Sequence, residues 1–275
     1  MNDELEYFLS QDGLRLYYRH WDCNSPQSMV CIVHGLAEHS GRYEHVAQWF
    51  VSQGITVFAL DLRGHGVSWG KRGHAKSYEL LLSDVEEFLK TARATYTDLP
   101  MFLMGHSLGG NIVANFVLTK PVNELKGFML SSPWFKLAFE PPAWKEKLAH
   151  FVSGFWPSLT QPDGLDASDL SRDKEEVLKY QSDPLIHGLI SSGLYTSVIS
   201  AGDNVLESAS EIKLKGLVFH GDADRVVSCE ASEAFANKNE LVEWKVIKGA
   251  YHEALNDFGK EDLIAYLADW INSKR

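Results

Sequence analysis

Short apolar runs and stretches of helical period take turns along most of this chain. Residues 29–33, 55–60 and 101–104 are almost free of polar side chains, as strands covered on both faces should be. Between them, Tyr43, Val46, Ala47 and Phe50 recur at helical spacing up to Gly54, and Leu81, Val85, Phe88, Leu89, Ala92 and Tyr96 trace one face of a long helix. Ahead of them, residues 6–9 and 14–19 flank a turn at Gln11-Asp12-Gly13 and predict an antiparallel hairpin at a sheet edge. Further strands are expected at 127–130, 215–221 and 242–247. Helices are expected through Ala231, Ala234 and Phe235, and through Leu263, Tyr266, Leu267, Trp270 and Ile271. Steady alternation of this kind predicts an α/β fold with a mostly parallel, doubly wound sheet.

The pattern breaks once. From Pro133 to Pro184 the chain carries six of its nine prolines and a cluster of large aromatics: Trp134, Phe135, Phe139, Trp144, Phe151, Phe155 and Trp156. The distance from 133 to 205 is far longer than a crossover between parallel strands requires. We therefore expect a helical cap insertion at 133–205 on a core made of 1–132 and 206–275. A lid with an apolar lining is the use such an insertion suits.

Composition narrows the choice of partner. A formal charge of −11 argues against nucleic acid and offers no general pull toward anionic membranes. Cys23, Cys31 and Cys229 show no Cys-x-x-Cys spacing, the N-terminus is acidic where a secretory leader is basic, and no run approaches ~18 apolar residues. These features point to a cytoplasmic protein. No His/Cys cluster has ligand spacing, so neither a metal nor an organic cofactor is expected.

Candidate chemistry begins at 101–110, where an apolar strand runs into Gly105-His106-Ser107-Leu108-Gly109-Gly110 and a helical pattern starts at once. Gly-x-Ser-x-Gly between strand and helix is the context of a nucleophile elbow, with Ser107 raised above the sheet edge. The helix that follows aims its amides and positive dipole end at any oxyanion formed there. A second oxyanion donor belongs in the loop after the strand at 29–33, which reads His34-Gly35-Leu36, so the backbone N–H groups of Leu36 and Leu108 are the candidates. In this arrangement nucleophile, acid and base follow in that order, each after a strand. Only His252 lies beyond the strand ending at Gly221, which makes it the candidate base. Asp222 and Asp224 share one turn, and spacing does not choose between them as the acid.

Together the segments 34–43, 61–68, 105–110, 221–226 and 251–253 resemble the monoacylglycerol lipase and lysophospholipase-like branch of the α/β-hydrolases. The resemblance covers about 5–130 and 206–272 and is weak over the cap. It implies the α/β-hydrolase fold, Asp224 as the acid, and Glu38 and Arg42 as residues shaping the polar, head-group end of the pocket. It also implies a serine esterase that cleaves monoacylglycerols, with lysophospholipids or a broad range of carboxylic esters as alternatives. A catalytically silent binding protein would be expected to lack a triad member. The second histidine that some members carry three residues after the catalytic one is Leu255 here, and His252-Glu-x-x-Asn256 is similar to microbial members. The partner expected is a small lipid ester, with transient contact between the aromatic cap and a membrane surface.

Overall fold

The computed structural model describes residues 6–275. The acidic stretch 1–5, read above as unlike a leader, lies outside the described residues. In chain order the strands are β1 Glu6–Leu9, β2 Arg15–Trp21, β3 Ser28–Val33, β4 Ile55–Leu60, β5 Met101–His106, β6 Leu125–Ser131, β7 Thr160–Pro162, β8 Leu189–Ser191, β9 Gly216–Gly221 and β10 Val242–Ile247. The helices are α1 Glu44–Ser52, α2 Tyr78–Thr95, α3 Leu108–Thr119, α4 Ala143–Phe155, α5 Lys174–Ser182, α6 Ser192–Ser208, α7 Cys229–Asn237 and α8 Lys260–Lys274.

Eight strands form one sheet in the order β1-β2-β4-β3-β5-β6-β9-β10. The hairpin at its edge is antiparallel, β2 meets β4 antiparallel, and every pairing from β4 to β10 is parallel. The pleat explains why the central strands are apolar throughout. Met29, Cys31 and Val33 of β3 pack with α2 and α3 on one face, while Val30 and Ile32 pack with α1 and α8 on the other. This is the doubly wound α/β-hydrolase sheet, and the loops at the carboxyl ends of its parallel strands gather on one edge.

Residues 133–205 divide by where they pack. Trp134 and Phe135 are buried with the core, Leu137 bridges to Val227, and α6 sets Leu194, Val198 and Val205 into the same cluster as α3. The part between them, which includes α4, the β7–β8 ribbon and α5, lies over the carboxyl edge of the sheet. There Phe139, Trp144, Phe151, Phe155 and Trp156 are exposed. Among the described residues, no helix is long and apolar enough to cross a membrane.

Candidate active site

Ser107 stands where β5 gives way to α3, with φ 51° and ψ −114°. A backbone in this region costs a residue with a side chain on the order of 1–3 kcal/mol and persists only where the surroundings hold it. They do so here. The Ser107 N–H donates to the Ser131 carbonyl at 3.0 Å, and its own carbonyl accepts from Asn111 and Trp134. Close packing supplies the rest: a Cβ on Gly105 would lie 2.3 Å from the Gly109 carbonyl oxygen, and one on Gly109 would lie 2.1 Å from that of Val33. Strand and helix can cross so tightly only because both positions lack side chains.

The candidate base is held from behind. His252, buried in the loop after β10, donates its Nδ1–H to Asp224 Oδ2 at 2.7 Å. Asp224 lies in the turn after β9, its other oxygen pinned by the Val226 and Val227 amides at 2.7 and 3.1 Å. Asp222 faces elsewhere and accepts from the Gly249 amide and Lys248. Burial pushes the Asp224 carboxyl up, but the charge of His252 and the hydrogen bonds from His220 and His252 outweigh it and hold the group well below the carboxylate range. For His252, burial works against the charged form, and Asp224 with the charges of Glu253 and Glu38 carries it the other way, above 6.5. His106, whose ring centroid is 4.9 Å from that of His252, is pushed down to about 4 by burial first and then by the charge of His252. It stays neutral and does not compete for the proton.

The loop after β3 is stiffened by its side chains. His34 donates Nδ1–H to the Gly35 carbonyl and accepts the Leu62 amide on Nε2. Glu38 Oε1 accepts from the Gly35 amide at 2.6 Å and the Tyr43 hydroxyl at 2.9 Å, while Oε2 accepts from Arg42 at 2.9 Å. Burial raises the Glu38 carboxyl, and Arg42, His106 and His34 together bring it down to about 2. Leu108 is the first residue of α3, so its N–H is among those a helix leaves without a partner. Among the described residues the Leu36 N–H makes no hydrogen bond within the protein.

Ser107, His252, Gly35, Leu36 and Glu38 open on one cavity of about 160 Å³. One wall is apolar, built from Leu36, Trp134, Leu137, Ile190, Val226 and Val227. Arg42 stands one layer back from it, gripped by both oxygens of Glu253 at 2.5 and 2.7 Å and capped by the Tyr180 ring at 4.9 Å. Glu253 takes the place on the wall instead. Two residues of the site were not singled out in the sequence. Glu253 was visible only as part of the His-Glu-x-x-Asn motif, and His220 only as a polar break in the apolar strand before Gly221. The glycine-rich loop 61–68, which superficially resembles a phosphate cradle, is filled by its own aspartate: Asp61 accepts the Ser40 and Val67 amides, and a Cβ on Gly66 would lie 2.1 Å from Asp61 Oδ2.

The chain is similar to proteins already known. A family model described as serine aminopeptidase, S33, matches residues 24–258. The monoacylglycerol lipase of Mycolicibacterium smegmatis is 33% identical over 270 residues, 97% of this chain and 96% of that protein. The chain belongs to the monoacylglycerol lipase-like α/β-hydrolases. An uncharacterized abhydrolase domain-containing protein of Dictyostelium discoideum is 34% identical along the whole chain, which spans 29% of that relative's length. The crystal structure of Paleococcus ferrophilus monoacylglycerol lipase matches with a TM-score of 0.86 at 32% identity, covering 94% of this chain and 99% of that one. The hydrolase described here is accordingly a carboxylic ester hydrolase, and its reacting groups are to be sought on the cavity just described.

Proposed function

We propose that this hydrolase cleaves monoacylglycerols to fatty acid and glycerol through an acyl-enzyme on Ser107. His252 Nε2 takes the Ser107 hydroxyl proton as Oγ attacks the ester carbonyl, and Asp224 balances the imidazolium that forms. The Leu36 and Leu108 amides receive the oxyanion, each worth about 2.7–4 kcal/mol of transition-state stabilisation. The tetrahedral adduct collapses, the C–O bond to glycerol breaks, and His252 returns its proton to the departing oxygen. Water then gives a proton to His252 and attacks the acyl carbonyl, and as the bond to Oγ breaks His252 passes that proton to Ser107, which frees the fatty acid and restores the serine.

The observation that carries this reading is the pairing of His252 with Asp224 on a cavity that Ser107 shares with apolar side chains. Such a lining suits an acyl chain, since each buried methylene contributes about 0.8 kcal/mol. Glu38 and Glu253 give the other end a polar, acidic character that suits the hydroxyls of a neutral alcohol. Glu38 acts through the shape of the Gly35 loop, and Arg42 by holding Glu38 and Glu253 apart as ions. The cap, whose packing separates it from the core between Leu137 and α6, sets chain-length preference. Its aromatic outer face rests transiently on a lipid surface. That four residues of α4, namely Trp144, Leu148, Phe151 and Phe155, lie exposed at helical spacing supports this contact.

Steady-state hydrolysis of monoacylglycerols across chain lengths, beside lysophosphatidylcholine and a short aryl ester, tests the assignment. A preference for long-chain monoacylglycerol that disappears in Ser107→Ala is expected. Turnover confined to the aryl ester would leave the serine chemistry standing and make the lipid assignment wrong; preference for the lysophospholipid would move it to a phospholipase.

A further inference from the structure

The carboxylate of Asp224 serves two histidines. His252 Nδ1 lies 2.7 Å from Oδ2, and on the opposite side His220 Nε2 lies 2.9 Å from the same oxygen. His220 is on β9 with no exposed surface, and its Nδ1 meets the hydroxyl of Ser232, equally buried on α7, at 2.8 Å. An ionised carboxylate only accepts, so the His220 proton facing it must be on Nε2. Nδ1 is then left to accept the Ser232 O–H, so both ring nitrogens of His220 and both oxygens of Asp224 have partners. A fully buried histidine in an otherwise apolar strand, aimed at an acid that already has His252 and two backbone amides, is more than packing requires.

We infer that His220 is a positioning residue for the hydrolysis, which fixes the Asp224 carboxylate and draws off part of its charge so that His252 remains a base able to release its proton. The inference rests on the assignment of Ser107, His252 and Asp224 above. Its physical content is a division of one negative charge. Oδ1 is committed to the Val226 and Val227 amides, so His220 and His252 share what Oδ2 offers. With His220 gone, the whole of that oxygen faces His252, which then binds its proton more tightly and is a usable base only at higher pH. Other charges reach the pair without replacing His220. Glu253 and Glu38 act on His252 from the cavity side, His106 lies against it on β5, and Cys229 and Glu230 stand near Asp224 and His220 on α7.

The test is the pH dependence of two rates in the full-length protein: hydrolysis of a short aryl ester, and covalent labelling of Ser107 by a fluorophosphonate, which reports the nucleophile whatever the natural ester. His220→Leu is expected to lower both maximal rates about 10- to 100-fold, the size of one hydrogen bond to a charged group. The acid limb of both profiles is expected to move upward by about one pH unit. His220→Gln, which restores an N–H toward Asp224, should return the limb to its original position. Ser232→Ala should give a smaller shift in the same direction, and it decides the matter if the leucine variant does not fold. Acid limbs unchanged in both His220→Leu and Ser232→Ala, or in Ser232→Ala alone should the leucine variant not fold, would overturn the inference while leaving the ester hydrolase intact. Failure of Ser107 to label in the wild-type protein would instead strike at the assignment on which it rests.

Discussion

Two surfaces of this molecule carry residues that look out of place, and they are opposites. At the carboxyl edge of the sheet, polar groups are buried: Glu38, His106, His252 and the carboxylate of Asp224 have hydrogen-bond partners on protein atoms. On the outside of the cap, apolar groups are exposed, with Phe151 at 65% and Phe155 at 81%. A buried polar group is tolerated only where its partners are in place, so the first surface is rigid and dictated by local geometry. The second leaves large apolar side chains exposed, and its meaning lies in what covers them. The first surface is therefore sensitive to single atoms, and the second to the sum of several side chains.

The rigid side is broken most severely at Asp224. Asp224→Asn keeps the shape of the carboxylate but presents an amide to His252 and favours the wrong imidazole tautomer. A fall in kcat on the order of 10⁴-fold with near-normal folding is expected, measured on an aryl ester. A loss below tenfold would mean that the acid is elsewhere. Arg42 is next. It is buried between Glu38 and Glu253, and Arg42→Leu leaves both carboxylates without their cation, at a cost of about 3–5 kcal/mol in the urea unfolding free energy. Unaltered stability would show that the two carboxylates neutralise without it.

A pH experiment sharpens the same side with two readouts of opposite sign. His252 holds its proton above 6.5 in the folded protein because of Asp224 and the nearby carboxylates, against the opposing effect of burial. The folded state therefore binds that proton more tightly than the unfolded chain does. The stabilisation is fully present below pH 6.5 and is lost as pH rises through the folded value. The proposed mechanism needs the unprotonated Nε2, so on that mechanism kcat/KM rises through that same value. Over the window that opens at pH 6.5, stability contributed by His252 should fall and level off once pH has passed the folded value, while activity climbs with its midpoint at that folded value. An acid limb lying below 6.5 would contradict the arrangement of charges around His252.

The sequence disclosed these two sides unequally, for reasons of physics. The strand at 55–60 falls where the apolar pattern puts it, because the pleat and the two covered faces leave few alternatives, and the edge strand at 242–247 also falls where it is expected although most of it is only partly buried. The elbow was legible because Gly105 and Gly109 answer to contacts of about two ångström that no other residue survives. Choosing Asp224 over Asp222 was beyond spacing, since both follow β9 and only the third dimension turns one toward His252 and the other toward Lys248. The cap aromatics were the least legible. Trp134 and Phe135 have the composition of Phe151 and Phe155, yet the first pair joins the core while the second faces outward. That difference depends on α6 returning beside α3, a tertiary event that local periodicity does not encode.

The outer face of the cap is the place for the smallest and most selective effect. Replacing Phe151 and Phe155 by serine removes two rings that touch each other, at a centroid distance of 5.1 Å, and otherwise lie open. Neither contributes to the buried cluster, so the unfolding midpoint should hardly move. Each ring that enters a lipid surface brings about 1.5–3 kcal/mol at full burial, and less where insertion is shallow. Binding to neutral phospholipid vesicles should accordingly weaken several-fold to about a hundredfold, and turnover of long-chain monoacylglycerol presented in those vesicles should fall with it. Hydrolysis of a dissolved aryl ester should remain as it was, since Ser107, His252 and the Gly35 loop are untouched. If both substrates slowed equally, the rings would be acting on the cavity through the cap, and the contrast between a site defined by its own hydrogen bonds and a face waiting for a partner would fail at that point.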